Sequence, residues 1–497
     1  MSSREATTAV RRFGLGAKPG ELARIGRDPR GYLLAALERK DAALLADASL
    51  EPSEAIIVKT QQATVEVRIS KAFREDGGAL LKANKAAGET KPDSMAGAGD
   101  PGNAAMQGEA AMKAEAGKPA VIVDKPQQIR REVFQREMAA RMAHARTTDA
   151  AFVERLVMFW SNHFAVNANK AGVLGIAGAF EREAIRPHVL GRFAEMLQAV
   201  EQHPAMLIYL DNQASTGPNS QVGRNRNRGL NENLAREILE LHTLGVDGGY
   251  SQADVTSLAR VITGWTVGQL SQPNVEPGRF HFAANRHEPG LHKVVGKTYG
   301  NAGAEAGRQC LADLAVHPST ARHIARKLAA HFIVDPPPPA AVSRIETAFR
   351  DSDGDLAQVA RALVTSQEAW SAPPRKVLPP YDFIIALERG LGITELAPPE
   401  RQRLMLLLGQ PLWRPPSPKG WPDADETWAG PSALRERLRI AERLSVWLAQ
   451  HGQDPRAQAE ALFGDALSEH TRQAVARAEA REQAFALLIM SPEFQRR

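Results

Sequence analysis

Along most of the chain apolar residues return every three or four positions, the spacing of helices that bury one face. Residues 21–45 and 55–74 read as amphipathic helices interrupted at Pro29 and Pro52, because proline opens a first helical turn or ends an element. They define an N-terminal helical layer, residues 1–76. The helical period resumes at about Gln127, with strong stretches over 128–145 and 150–163, the second opened by Thr148 or Asp149 as N-cap. On that second helix Phe152, Leu156, Phe159 and His163 share one face. After Trp265 the texture changes. Arg279-Phe-His-Phe282 alternates as a short strand does, Val294-Val295 is the next apolar stretch, and the simplest pairing is one small hairpin. From about Ala302 the helical pattern returns and includes a clear amphipathic segment over 317–328. Proline joints at 336–339, 373–374 and 415–416 are stiff connectors between these later helices. The expected fold is mainly α, a multi-helical globular protein with a small β-hairpin. Its central helical region is 127–300, and a C-terminal helical region, 301–497, packs with the rest as one body.

One stretch departs from this pattern. Residues 83–119 contain no Ile, Leu, Val, Phe, Trp or Tyr. Such a segment cannot bury enough apolar surface to offset backbone ordering, about 1–2 kcal/mol per residue, so a flexible insertion is expected over roughly 77–126. Met106 and Met112 are scattered in this Ala-rich tract and do not make a copper site.

The densest polar pattern is Gly229-Leu-Asn-Glu-Asn-Leu-Ala-Arg-Glu-Ile-Leu-Glu-Leu-His-Thr-Leu-Gly245. At 100° per residue Glu232, Arg236 and Glu240 stack at i, i+4 and i+8, with Glu237 alongside, while Leu234, Ile238 and Leu241 line the other side. His242 projects toward the apolar side. Asn231 is placed to cap this helix and Ser251 with Asp254 to open the next as a capping-box variant. Ahead of the acidic helix, Arg224, Arg226 and Arg228 alternate in a Gly/Asn-rich loop. That arrangement suits an anion cradle, or an internal ion-pair network with Glu232.

Read with Gly249-Tyr-Ser-Gln-Ala-Asp-Val255 and Thr263-Gly-Trp265, the acidic segment resembles the bacterial domain-of-unknown-function 1800 family. Arg12-Phe-Gly-Leu-Gly16, Phe159-Trp-Ser-Asn-His-Phe164, Gly409-Gln-Pro411, Lys419-Gly-Trp421 and Ser491-Pro-Glu-Phe494 fit the same family in the same order. The resemblance spans nearly the whole chain apart from the insertion. It implies no activity. It does imply a neighbour: genes of this family often lie beside one for a sulfatase-like protein of the domain-of-unknown-function 1501 family, the candidate partner.

Composition narrows the function classes. The net charge of +5 comes from arginines intermixed with acids, as on a solvated surface, and no basic stripe carries interleaved aromatics, so nucleic acid is not an expected partner. A single cysteine, Cys310, excludes an intrachain disulfide and a cysteine-built zinc site and reads as a small buried residue. The first residues lack the apolar run of about 7–15 that a secretory signal needs, and no window reaches about 18 apolar residues. A cytoplasmic protein without a membrane span is the default expectation, export the minority one.

The familiar catalytic signatures are missing from the sequence: no nucleophile elbow, Walker loop, His-Glu-x-x-His or strand-borne Gly-x-Gly-x-x-Gly. Asp351-Ser-Asp-Gly-Asp355 fails as a calcium loop, and Asp353 or Asp355 is better placed as a helix N-cap. The favoured reading is a non-catalytic binding or assembly protein without a cofactor. The alternative is a metal-dependent or hydrolase-like enzyme built on the helix 231–244. In it Glu237, Glu240 and His163 would be catalytic, or would hold a divalent metal together with His287 as a mixed nitrogen and oxygen shell. For His163 itself the plainer reading is a core histidine hydrogen-bonded to backbone or carboxylate.

Overall fold

Proline and small polar caps set the helix starts along this chain. Asp28, Asp124, Asp355 and Asp454 each accept a backbone N–H at the start of Pro29–Leu37, Lys125–Thr147, Leu356–Thr365 and Pro455–Phe463. Ser251 and Asp254 close a full capping box on Gln252–Val261. The computed structural model describes the backbone of residues 4–87, 124–226, 229–300, 302–393 and 396–497, and their side chains except those of 74–87 and 226.

The described residues are mainly helical with two small two-stranded sheets. Helix Ala151–His163 runs through the middle and is buried nearly all round, Glu154, Arg155 and His163 included, so it is enclosed instead of lying on the surface. Phe152 meets Phe13 and Phe332 edge-on at 5.5 and 5.8 Å, and Trp160 meets Phe193 at 5.6 Å. These rings tie the first residues, the central helix and helix Pro318–Phe332 together. A single contiguous core runs from Ala6 to Phe494. The two ends of the chain meet within it. Arg11 donates to the carbonyls of Phe494 and Arg496 at 2.8 Å, and Thr7 donates to Phe463 O at 3.1 Å.

Three sequence expectations need correction. The strand over 280–282 does not pair with the stretch at 294–295. Instead β1 (Trp265–Val267) pairs antiparallel with β2 (Phe280–Phe282), and β3 (His292–Val294) with β4 (Lys297–Tyr299). Val295 and Gly296, at φ +46° and +81°, make a two-residue turn that sends the chain straight back on β3. Buried on every residue, β1 has no alternating pattern to betray it. Second, helix 151–163 is preceded by Ala150 at the N-cap position, without a side-chain cap, and Thr148 accepts only from Ala150 N at 3.1 Å. Third, the helix expected to end at Arg74 continues as Ser53–Ala87. The rest of the expected insertion, 88–123, lies outside the described residues. Among those described, no helix is long and apolar enough to cross a membrane.

Candidate functional site

The acidic helix is shorter than its sequence period suggests. Asn231 Oδ1 accepts from Asn233 N at 2.9 Å, Asn233–Glu237 is α-helical, and Ile238–His242 continues as a π-helical turn. Its i→i+5 bonds add a residue to the turn and rotate Glu240 off the Glu232–Arg236 line, toward the hydroxyl of Tyr250. Arg236 pairs with Glu232 at 3.2 Å, with side chains 40% and 30% exposed, and Gln252 and Thr256 complete the Glu232 carboxylate. The seam is therefore a surface pair. Half-buried Glu237 makes no ion pair among the described residues, and burial, helped by Glu240, pushes its pKa up.

His163 stands away from both glutamates. It is buried, its Nε2 donates to His242 O at 3.1 Å, and its Nδ1 meets Lys327 Nζ at 2.9 Å. Burial holds its pKa well below the usual imidazole value, so the ring is neutral. His242 turns inward to the buried Glu201, Nδ1 to Oε1 2.7 Å. His287 Nδ1 lies 3.0 Å from Thr263 O, with its ring against Phe282. Among the described residues no three His, Cys, Asp or Glu side chains converge as metal ligands.

In the arginine loop, the N–H of Asn219 and its side-chain amide both donate to buried Glu288, at 2.8 and 2.6 Å. A carboxylate of the chain thus already sits where an anion would, though it is Glu288 and not Glu232. Arg224 is exposed and donates to Asn219 O at 2.9 Å. The side chain of Arg226 and all of Arg228 lie outside the described residues.

A different place gathers unsatisfied chemistry. A cavity of about 90 Å³, open on one side, lies between helix 151–163, helix 318–332, helix Pro380–Leu391 and the loop 410–423. Met158, Met405, Leu412, Trp413 and Trp421 supply its apolar wall. At one side His331 Nδ1 meets Asp423 Oδ1 at 2.7 Å. A carboxylate only accepts, so Nδ1 carries the proton. Burial drives the His331 pKa down to about 4, which leaves the ring neutral and Nε2 a lone-pair acceptor. That Nε2 has no partner among the described residues, nor has the buried hydroxyl of Tyr381, another lining residue. Asp423 is held below the carboxylate range: burial alone would raise it, but His331, Lys376 and Arg497 outweigh that.

Arg497 lies 3.7 Å from Asp382 and its buried guanidinium nitrogens make no hydrogen bond among the described residues, whereas other charges nearby are paired. Arg141 pairs with Glu181 at 2.8 Å and lies over the Tyr381 ring, Ser161 and Trp413 donate to the same carboxylate, and Arg155 pairs with Asp382 at 2.7 Å. Sequence reasoning missed His331, Tyr381 and Asp423 because each sits on a different segment. A signal was nonetheless present. Segments 159–164, 409–411 and 419–421, which carry the family resemblance, all reach this cavity through Ser161, Asn162, Gln410 and Trp421. Asn162 and Trp421 exchange two hydrogen bonds of 2.9 and 2.7 Å. Between those motifs only glycine fits at 420, where φ is +82° and a Cβ would lie 2.3 Å from Asn162 O.

The family follows from the whole chain. This protein belongs to the domain-of-unknown-function 1800 family. The family model, described as "Protein of unknown function (DUF1800)", matches residues 8–496. No curated protein and no solved structure matches the chain.

Proposed function

We propose that this DUF1800 protein is a binding protein whose ligand enters the cavity at His331, Tyr381 and Asp423. The observation that carries the reading is that two residues lining one apolar-walled cavity, His331 and Tyr381, each hold a buried polar atom without a partner among the described residues. Buried polar groups are nearly always satisfied, and a mixed apolar and polar concavity is the usual form of a ligand site. The interior carboxylates nearby are paired off by arginines, as expected of a scaffold instead of an acid–base catalyst. With Arg141 paired to Glu181 and Arg155 to Asp382, and single polar atoms of His331 and Tyr381 left over, the ligand read here is an uncharged one. Its hydroxyl or amide hydrogen is given to His331 Nε2, and its carbon face lies against the indoles.

The test is a calorimetric titration with glycerol and with glycolamide. For probes this small, binding on the order of millimolar is expected in the wild type, and none in Ala165→Leu, which fills the cavity from its buried wall. Equal heats from both proteins, or none from either, would mean that the cavity holds water only. The enzyme reading on Glu237, Glu240, His163 and His287 rests now on the raised pKa of Glu237 alone. Metal content after chelator-free purification, compared with Glu237→Gln/Glu240→Gln, decides it. A sulfatase-like DUF1501 protein remains the proposed partner on the strength of the family resemblance, and co-purification from the native host tests that.

A further inference from the structure

Beyond His331 Nε2 and the Tyr381 hydroxyl, the cavity holds polar atoms that are both unbonded and reachable. Arg141 uses only its Nε on Glu181, at 2.9 and 2.8 Å, and neither Nη makes a hydrogen bond among the described residues. Asp382 gives Oδ2 to Arg155 at 2.7 Å and leaves Oδ1 free. Asp423 gives Oδ1 to His331 at 2.7 Å and leaves Oδ2 free. Gln410 accepts from Tyr381 N through Oε1 at 2.9 Å, which leaves its amide N–H groups uncommitted. All four side chains line the cavity, and none of these free atoms is enclosed by protein. Arg141 and Asp382 are otherwise buried, so the cavity is where their free atoms are met.

This mixture of donors and acceptors narrows the ligand. An anion would meet two carboxylates and a cation a guanidinium. Arg141 and Asp382 already have counter-charges in Glu181 and Arg155, so a charged ligand group would lose its water without gaining an unpaired partner. A hydroxyl gives one hydrogen and accepts through its lone pairs, and two on adjacent carbons repeat that capacity at the spacing a guanidinium fork reaches. Trp413 and Trp421 offer flat apolar faces to the carbon side. Trp413 is held edge-on to Phe134 at 5.7 Å and by its N–H on Glu181, and Trp421 lies 6.0 Å from Trp428. We propose that the ligand is a vicinal diol, the edge of a polyol or of a sugar ring, which donates to Asp382 Oδ1 and Asp423 Oδ2 and accepts from Arg141. This rests on the reading of the cavity as a ligand site and names the class of molecule it takes. At about 90 Å³ and open on one side, the cavity takes that edge and leaves the rest of a sugar outside.

The experiment titrates the full-length protein, by calorimetry, with erythritol, 1,4-butanediol, glycine and methyl β-glucoside. Erythritol is expected to bind at least about tenfold tighter than 1,4-butanediol, which has the same carbon chain without adjacent hydroxyls. Ala165→Leu is expected to lose that binding. Asp423→Asn keeps an acceptor for His331 Nδ1–H but sets an N–H where Oδ2 accepted, and is expected to weaken erythritol at least about fivefold. Methyl β-glucoside binding as tightly as erythritol assigns the diol to a sugar; binding of erythritol alone assigns it to a free polyol. The proposal is overturned if erythritol binds no tighter than 1,4-butanediol, if glycine binds tighter than erythritol, or if folded Asp423→Asn binds erythritol as the wild type does. Glycolamide binding in those cases still upholds the cavity as a ligand site, whereas silence from every probe removes both readings.

Discussion

Arg186→Met tests how the interior of this protein is held. Arg186 has a fully buried side chain and reaches both oxygens of Glu154 at 2.8 Å, Glu181 at 2.9 Å and the carbonyl of Ala43 at 2.7 Å. Glu181 keeps Arg141, Ser161 and Trp413 when Arg186 is removed. Glu154 does not fare so well. Its remaining neighbour is His144 Nε2 at 3.4 Å, a ring whose pKa burial lowers and which is neutral at pH 7 in the native protein. One carboxylate is then left buried without a counter-charge, and the expected loss is about 3–5 kcal/mol. Urea midpoints at pH 7.5 followed by tryptophan fluorescence measure it, read as a shift in midpoint because a chain this long need not unfold in two states. Adding Glu154→Gln removes the stranded charge and is expected to recover at least about 1 kcal/mol. A loss below about 1 kcal/mol for Arg186→Met, or a double variant no better than the single one, refutes the reasoning.

Arg236→Ala, by contrast, is expected to cost under about 1 kcal/mol, because its pair with Glu232 is solvent-exposed; a thermal shift as large as that of Arg186→Met would return the seam to the core. His331 gives a pH dependence of definite sign. Its folded pKa, about 4, is below the unfolded value of about 6.5, so the unfolded chain binds the extra proton and stability falls as pH drops through that window. His331→Gln should flatten the curve by about 1.4 kcal/mol per pH unit there, and identical slopes in urea series at pH 4.5–6.5 would contradict the assignment. From the composition of residues 83–119, trypsin is expected to cut first around Lys85, Lys91, Lys113 and Lys118 and to leave two fragments that elute together; protection of those lysines argues otherwise.

Local chemistry was legible in the sequence wherever it was self-contained. The capping box at Ser251 and Asp254, the cap at Asp355 and the buried place of Cys310 each depend on a few adjacent residues or on a plain apolar pattern. The strand partner of Phe280–Phe282 was not, since pairing with Trp265–Val267 spans a long loop and burial alternates along neither strand. The π turn at Ile238–His242 was also hidden, and with it the failure of the Glu232, Arg236, Glu240 ladder, because periodicity assumes one constant angle per residue. The cavity lay furthest from view. His331, Tyr381 and Asp423 converge only when three separate segments pack, and each alone resembles an ordinary helix or loop residue. The family motifs marked the neighbourhood, but not the residues whose polar atoms lack partners.

The most direct test of the binding reading is the imidazole nitrogen of His331 itself. In protein labelled with 15N-histidine, titration with glycolamide is expected to shift the His331 Nε2 resonance progressively away from that of a free lone-pair acceptor, toward that of one receiving a hydrogen bond, while its Nδ1 resonance holds still against Asp423. Saturation should follow the calorimetric curve, and Ala165→Leu should abolish the shift. A His331 Nε2 signal that does not move across the titration, in a protein that remains folded, contradicts the account.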